Sequence, residues 1–214
     1  MKRLAFALVV IAGLLAIHAV EAGSQEIKPT WIPLLARVTQ RYFDDAGTMM
    51  VESTGIYVRD SHGRSYSRVR GTYAAGAPFF GRPDFGILDD RPSHLTYIID
   101  FGRRTFRKEK TDPSEDITEP QTREEFDKAR AGEEFLGKQV ISGIECEGYQ
   151  APAPNYKKHF NETWYAPSLN FLVIRSTRYN PMKQQVKILL HTIRAGTEPS
   201  PIFFRLPSSF REVR

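Results

Sequence analysis

The chain has 214 residues, 41% of them hydrophobic and 26% charged, with 30 Lys or Arg against 25 Asp or Glu and a formal net charge of +5. A chain of this length fills one full-sized core without needing a second domain, and a modest basic excess scattered among acids argues against nucleic acid as a partner. Its single cysteine, Cys146, excludes an internal disulfide, and its place between Ile144 and Gly148 in a strand-like run predicts a buried thiol.

Lys2-Arg3 precede an almost wholly apolar run from Leu4 to Ile17, and Val20-Glu21-Ala22 then supplies the spacing that a signal peptidase reads. The expectation is a secretory signal peptide over 1–22 and a single domain over 23–214. The apolar run is shorter than the roughly 20 residues a membrane-spanning helix needs. No later stretch spans, so no transmembrane segment is expected after signal removal. No cysteine follows the run as a lipid attachment site, which points to a soluble exported protein, periplasmic or extracellular. Losing Lys2, Arg3 and Glu21 takes the formal charge from +5 to +4.

Leu34, Leu35, Val38 and Tyr42 recur at helical spacing behind Thr30 and Pro33, predicting an amphipathic helix that ends near Asp44. Residues 49–60 and 64–73 are β-rich around Ser61-His62-Gly63 and predict a hairpin. From Ala74 to Pro92, Gly76, Pro78, Gly81, Pro83 and Gly86 lie among Phe79, Phe80 and Phe85, which reads as a long loop whose aromatics cover part of the core. Leu95 to Phe101 is a strong strand, turned by Gly102-Arg103 into residues 105–109. A basic run over 103–110 meets an acidic run over 112–119, the pattern of solvated connections. Thr122-Arg123-Glu124-Glu125 then opens a short helix with Phe126 and Ala129 that stops at Gly132.

Phe135 to Tyr149 reads as two strands around Ser142-Gly143, and Tyr156 to Tyr165 as another, within which Asn161-Glu162-Thr163 forms a sequon whose mid-strand place argues against glycosylation. Phe171 to Arg178 and Gln185 to Ile193 form a hairpin around Asn180-Pro181-Met182-Lys183. With four unpaired turn residues, Arg178 faces Gln185 and Ile174 faces Leu189. Alternation then puts Phe171, Val173, Ile188 and Leu190 on one face and Leu172, Ile174, Leu189 and Ile193 on the other. Both faces are apolar, so both need cover.

The order Leu136-Gly137, Ile141-Ser142-Gly143, Gly148-Tyr149, Trp164-Tyr165-Ala166-Pro167-Ser168-Leu169, Leu190 with Ile193, Gly196 with Pro199, and Phe204 to Pro207 resembles a group of uncharacterised exported bacterial proteins. That group is similar, more distantly, to periplasmic lipoprotein carriers of the LolA/LolB type. The resemblance covers about the last 80 residues well and transfers no functional residue. It implies an α+β, mainly antiparallel fold, a curved sheet forming an incomplete barrel with one or two helices against its concave side, and a groove for acyl chains. A flat two-layer sandwich would also cover both faces of the hairpin.

Among His62, His94, His159 and His191 no pair stands at metal-ligand spacing, no serine lies in a nucleophile elbow, and Asp44-Asp45 and Asp89-Asp90 read as solvated turns. No cofactor, metal or catalytic residue is expected. The leading expectation is a non-catalytic envelope protein that binds a lipid acyl chain or lipidated protein, with Trp164, Phe171, Val173, Ile188 and Leu190 as groove candidates. The alternative is an interaction module with a closed core, binding another envelope protein through its sheet edge or the loop from Phe79 to Phe85. An enzyme or metal protein is the third reading.

Overall fold

A computed structural model of the protein describes residues 30–73, 84–110, 122–153, 156–179 and 184–213. The expected signal peptide, the residues Phe79 and Phe80, and the acidic run after residue 111 lie outside them. The described residues fold into one 12-stranded sheet. In chain order its strands are β1 (Leu34–Phe43), β2 (Met49–Arg59), β3 (Ser65–Tyr73), β4 (Asp84–Asp90), β5 (Leu95–Asp100), β6 (Thr105–Lys110), β7 (Glu134–Ile141), β8 (Ile144–Ala153), β9 (Tyr156–Ala166), β10 (Leu172–Tyr179), β11 (Gln185–Ala195) and β12 (Arg211–Glu212). The one α-helix among the described residues, α1 (Arg123–Ala129), precedes β7, and no described helix is long and apolar enough to cross a membrane.

Two antiparallel meanders, β1–β6 and β7–β11, are sewn together where β1 pairs with β11, giving the spatial order β12-β6-β5-β4-β3-β2-β1-β11-β10-β9-β8-β7. Among the described strands only the two-residue β12 pairs in parallel, with β6. The sheet curves into an incomplete barrel and its two edges, β12 and β7, do not pair with each other. A single curved sheet replaces the two-layer sandwich.

Three expectations are corrected. Residues 34–43 form β1 and not a helix, because the run also alternates: Leu34, Ala36 and Val38 are buried while Leu35 and Arg37 face the other way. Its backbone groups pair on both sides, with β2 and β11, and this tertiary pairing overrides the helical spacing of the apolar residues. Asp84–Asp90 is strand β4 and not loop, held between β3 and β5. The β10–β11 hairpin is shifted by one residue, with Tyr179 opposite Gln185 and Arg175 opposite Leu189.

The backbone of β3 approaches closely at Gly55, where a Cβ would lie 1.8 Å from the Arg68 carbonyl oxygen. Only glycine fits there. The outer face of β2–β6 is covered by the C-terminal segment, whose Phe203, Phe204, Leu206 and Phe210 pack on Val58, Tyr66, Leu88 and Ile99. On β7–β10 a second outer cluster buries Ile141, Cys146, Trp164, Ala166, Leu169 and Ile174. The hairpin is therefore covered on its outer side by its own sheet and connections. The inner side is covered only in part.

Candidate functional site

Strand alternation determines which side chains line the inner face. Val38 stands opposite Gly55 and Leu190, Gly55 opposite Val69, and Val69 opposite Phe85, so these residues form one row across five strands. Gln40 and Ile188 pair in a second row, with Ser176 opposite Ile188. Tyr57 and Ser67 pair in a third, continued by Ile87. These rows line an open groove of about 820 Å³, closed at one side by α1 and by the turn after β9.

Of the expected groove residues, Phe171, Val173, Ile188 and Leu190 all line it, and Trp164 does not. Trp164 is buried in the outer cluster, where Arg175 lies 4.9 Å over its ring and its indole N–H donates to Glu162. A bulge explains how Val173 and Ile188 share a face despite the shifted hairpin register. The pairing of β10 with β9 slips between Val173 and Arg175, which reverses the alternation before the bulge and returns Phe171 and Val173 to the inner side.

The helix is pinned by one side chain. Phe126 is its only buried residue, stacked on Phe171 at 4.0 Å and set edge-on to Tyr165 at 5.0 Å and Tyr149 at 5.5 Å. A full capping box starts α1, with Thr122 accepting from the Glu125 N–H and the Glu125 side chain accepting from the Thr122 N–H, as the sequence predicts. Arg123 joins the helix to the buried carboxylate of Glu147 at 2.6 Å. Such a short helix is not stable alone and holds its place through these contacts.

At the β2 end of the groove lies a group of polar residues that no spacing in the sequence announced. Arg59 is only 3% exposed, yet no carboxylate pairs with it among the described residues. Its Nε and Nη2 donate to the Ile32 carbonyl oxygen at 3.2 and 3.1 Å, and Nη2 donates to the Leu169 carbonyl oxygen at 3.3 Å. The guanidinium groups of Arg59 and Arg91 each lie 4.9 Å from the Trp31 ring. The ring rests on Gly63, where φ is +84° and a Cβ would lie 2.5 Å from the indole nitrogen. Burial lowers the pKa of Arg59, opposed by Tyr57 and reinforced by Arg91, but a guanidinium stays protonated. Burial also raises the Tyr57 and Tyr165 hydroxyls above the usual tyrosine range.

Taken together the described lining holds Arg59, Arg91, Arg130 and Arg178 but no Asp, Glu, His or Cys. Arg91 pairs with Asp89 at 3.4 Å and Arg130 with Glu133 at 2.7 Å, both outside the lining. Two buried polar atoms on the lining residues, Arg130 Nε and Asn170 Oδ1, have no hydrogen-bond partner. The groove is thus apolar along its floor and cationic at its margins. Among the described residues no three His, Cys, Asp or Glu side chains come together as a metal site.

No protein-family model matches the chain, and no curated protein matches it. Solved structures of similar shape include an uncharacterized conserved protein from Thermus thermophilus, 8% identical, with a TM-score of 0.51 over 85% of this chain and 90% of that one. MucB in the MucA/MucB complex of Pseudomonas aeruginosa is 10% identical at a TM-score of 0.46, and the alignment spans 85% of this chain but 58% of that one. A LolA superfamily protein from Nitrosomonas europaea is 12% identical at a TM-score of 0.34, over 84% of this chain and 93% of that one. The Thermus likeness shows a shared fold, and the two weaker ones carry no argument about function.

Proposed function

We propose that this is an exported, non-catalytic binding protein of the cell envelope whose inner groove receives an apolar chain, a lipid acyl chain or the lipid of a lipidated protein. The observation that carries the reading is the open groove of about 820 Å³, floored by Val38, Val69, Phe171, Val173, Ile188 and Leu190. Ligand sites fall in the range of roughly 300 to 1,000 Å³ and combine an apolar wall with a few placed polar groups. The described lining has the composition of a binding site and holds no paired nucleophile and base.

Titration with a fluorescent fatty acid tests it. Ile188 is half-buried and contributes less to the core than Leu190, which is 6% exposed, so Ile188→Asn separates binding from folding better than Leu190→Asn. The expected result is saturable binding by the wild type and loss of binding in a folded Ile188→Asn variant. Absence of binding at every accessible probe concentration would contradict the reading.

Export is part of the proposal and rests on the sequence of residues 1–22. Intact-mass measurement on exported material is expected to give a chain starting near Gly23. Retention of residues 1–22 would contradict it.

One observation favours a second reading. Among the described strands β7 is an edge, with Phe135 53% and Val140 67% exposed, which suits pairing with an extended segment of another envelope protein. This becomes the better account if the groove takes no acyl probe.

A further inference from the structure

Resting on the groove reading, we infer that the bound chain carries an anionic head, a carboxylate or a phosphate, seated against Arg59 at the β2 end of the groove beside Trp31 and Arg91. The argument starts from cost. Arg59 is 3% exposed as a residue, so its guanidinium has lost most of its water, and removing a cation from water is expensive unless an anion or oriented dipoles replace it. Among the described residues Arg59 has only the carbonyl dipoles of Ile32 and Leu169 and the face of Trp31. A structural clamp could be built from neutral donors. A charged one in a groove with no carboxylate among its described lining leaves a positive potential facing the space the ligand enters.

The hydrogen-bond inventory supports the same conclusion. Arg has five N–H donors. The one on Nε and those on Nη2 are committed to carbonyl oxygens, which leaves the pair on Nη1 for a ligand and fixes the plane of the guanidinium. A fixed guanidinium loses little freedom when it binds an oxyanion. Ser65 stands opposite Arg59 and Ser67 opposite Tyr57, which puts two hydroxyl donors on the same inner face. Arg91 is shared with Asp89, so Arg59 supplies the uncompensated charge. From this end the rows of Val69, Phe85, Val38, Leu190 and Ile188 continue as apolar floor, matching a molecule with one charged end.

The test compares cis-parinaric acid with its methyl ester on the purified protein at low salt. Both have the same chain and differ only in the charge of the head. The acid is expected to bind at least about tenfold more tightly than the ester, the value of one charge-assisted hydrogen-bonded contact. That ratio is expected to fall towards one in Arg59→Met. Competition by hexadecyl phosphate and by palmitate, but not by hexadecanol, supports the anionic head, and the stronger competitor identifies phosphate or carboxylate as the preferred group. Equal affinity for acid and ester with wild-type protein would overturn the inference and leave the apolar groove standing, whereas failure of both probes to bind would overturn the groove reading and this one with it. A ratio unchanged in folded Arg59→Met would remove Arg59 from the role. If Arg59→Met does not fold, the wild-type comparison still decides, because a preference for the acid supports the anionic head and equal affinity overturns it.

Discussion

Replacing Phe126 with alanine should detach α1 while leaving the sheet intact. Phe126 is 1% exposed and makes three ring contacts at 4.0, 5.0 and 5.5 Å, with Phe171, Tyr165 and Tyr149. Truncating a buried phenylalanine costs about 3 to 5 kcal/mol, to which each aromatic pair contributes ~0.5 to 1.5 kcal/mol. The helix has no other buried residue over Arg123–Ala129 to absorb that loss. The cost therefore falls on a local equilibrium, docked against undocked α1. Hydrogen exchange reads it directly, through the amides of Phe126 and Arg130, which donate to the Thr122 and Phe126 carbonyls. Their exchange should accelerate by roughly 10² to 4 × 10³ at constant pH, while the protection of β1, β2 and β11 changes little. Unchanged exchange at these two amides would refute the claim that one ring holds α1. Equal loss of protection throughout the sheet would refute the claim that the helix opens alone.

Trp164→Ala is expected to lower stability by about 3 to 5 kcal/mol, because the ring fills the outer cluster against Ile174 and Cys146; thermal unfolding at the wild-type temperature would contradict this. Cys146 is fully buried and burial raises its thiol pKa, so thiol reagents should label it only after unfolding, and rapid labelling of folded protein would reverse the assignment. Asp84 accepts two hydrogen bonds from Arg68 at 2.9 Å and one from Arg70 at 3.0 Å, which hold its carboxyl below the usual range. Its contribution to stability is complete above the unfolded carboxylate pKa of about 3.9 and is lost as the pH falls through the lower folded value. Denaturant titrations from pH 5 downward should therefore show a shallower loss of stability in Asp84→Asn than in wild type, and parallel curves would assign the acid sensitivity elsewhere.

Local signals carried much of the architecture. The hairpins around Ser61-His62-Gly63, Gly102-Arg103 and Ser142-Gly143 stand where alternation and turn residues place them, and the Thr122–Glu125 capping box is visible in four residues. The strand β1 was not legible in the same way. Leu34, Leu35, Val38 and Tyr42 fit a helical period, and the deciding partner, β11, lies about 150 residues away in the chain. Strand β4 was hidden by the Gly and Pro residues before it. Phe171, Val173, Ile188 and Leu190 share the inner face because two deviations from the expected hairpin, a one-residue shift and a bulge, cancel in parity. Trp164 lies beyond that bulge and faces outward. Nothing in the sequence marked Arg59. An arginine at a strand end is ordinarily solvated, and only the fold shows that Trp31, Ile32 and Leu169 enclose it.

The central claim is that an apolar chain occupies the inner face, and paramagnetic broadening of methyl resonances tests it most directly. With a stearic acid bearing a nitroxide on its chain, the account predicts strong broadening at Val69, Val173, Ile188 and Leu190, which line the groove, and little at Ile141 and Ile174, which pack on the outer side. Broadening confined to the outer methyls, or spread evenly over both sets, would contradict it.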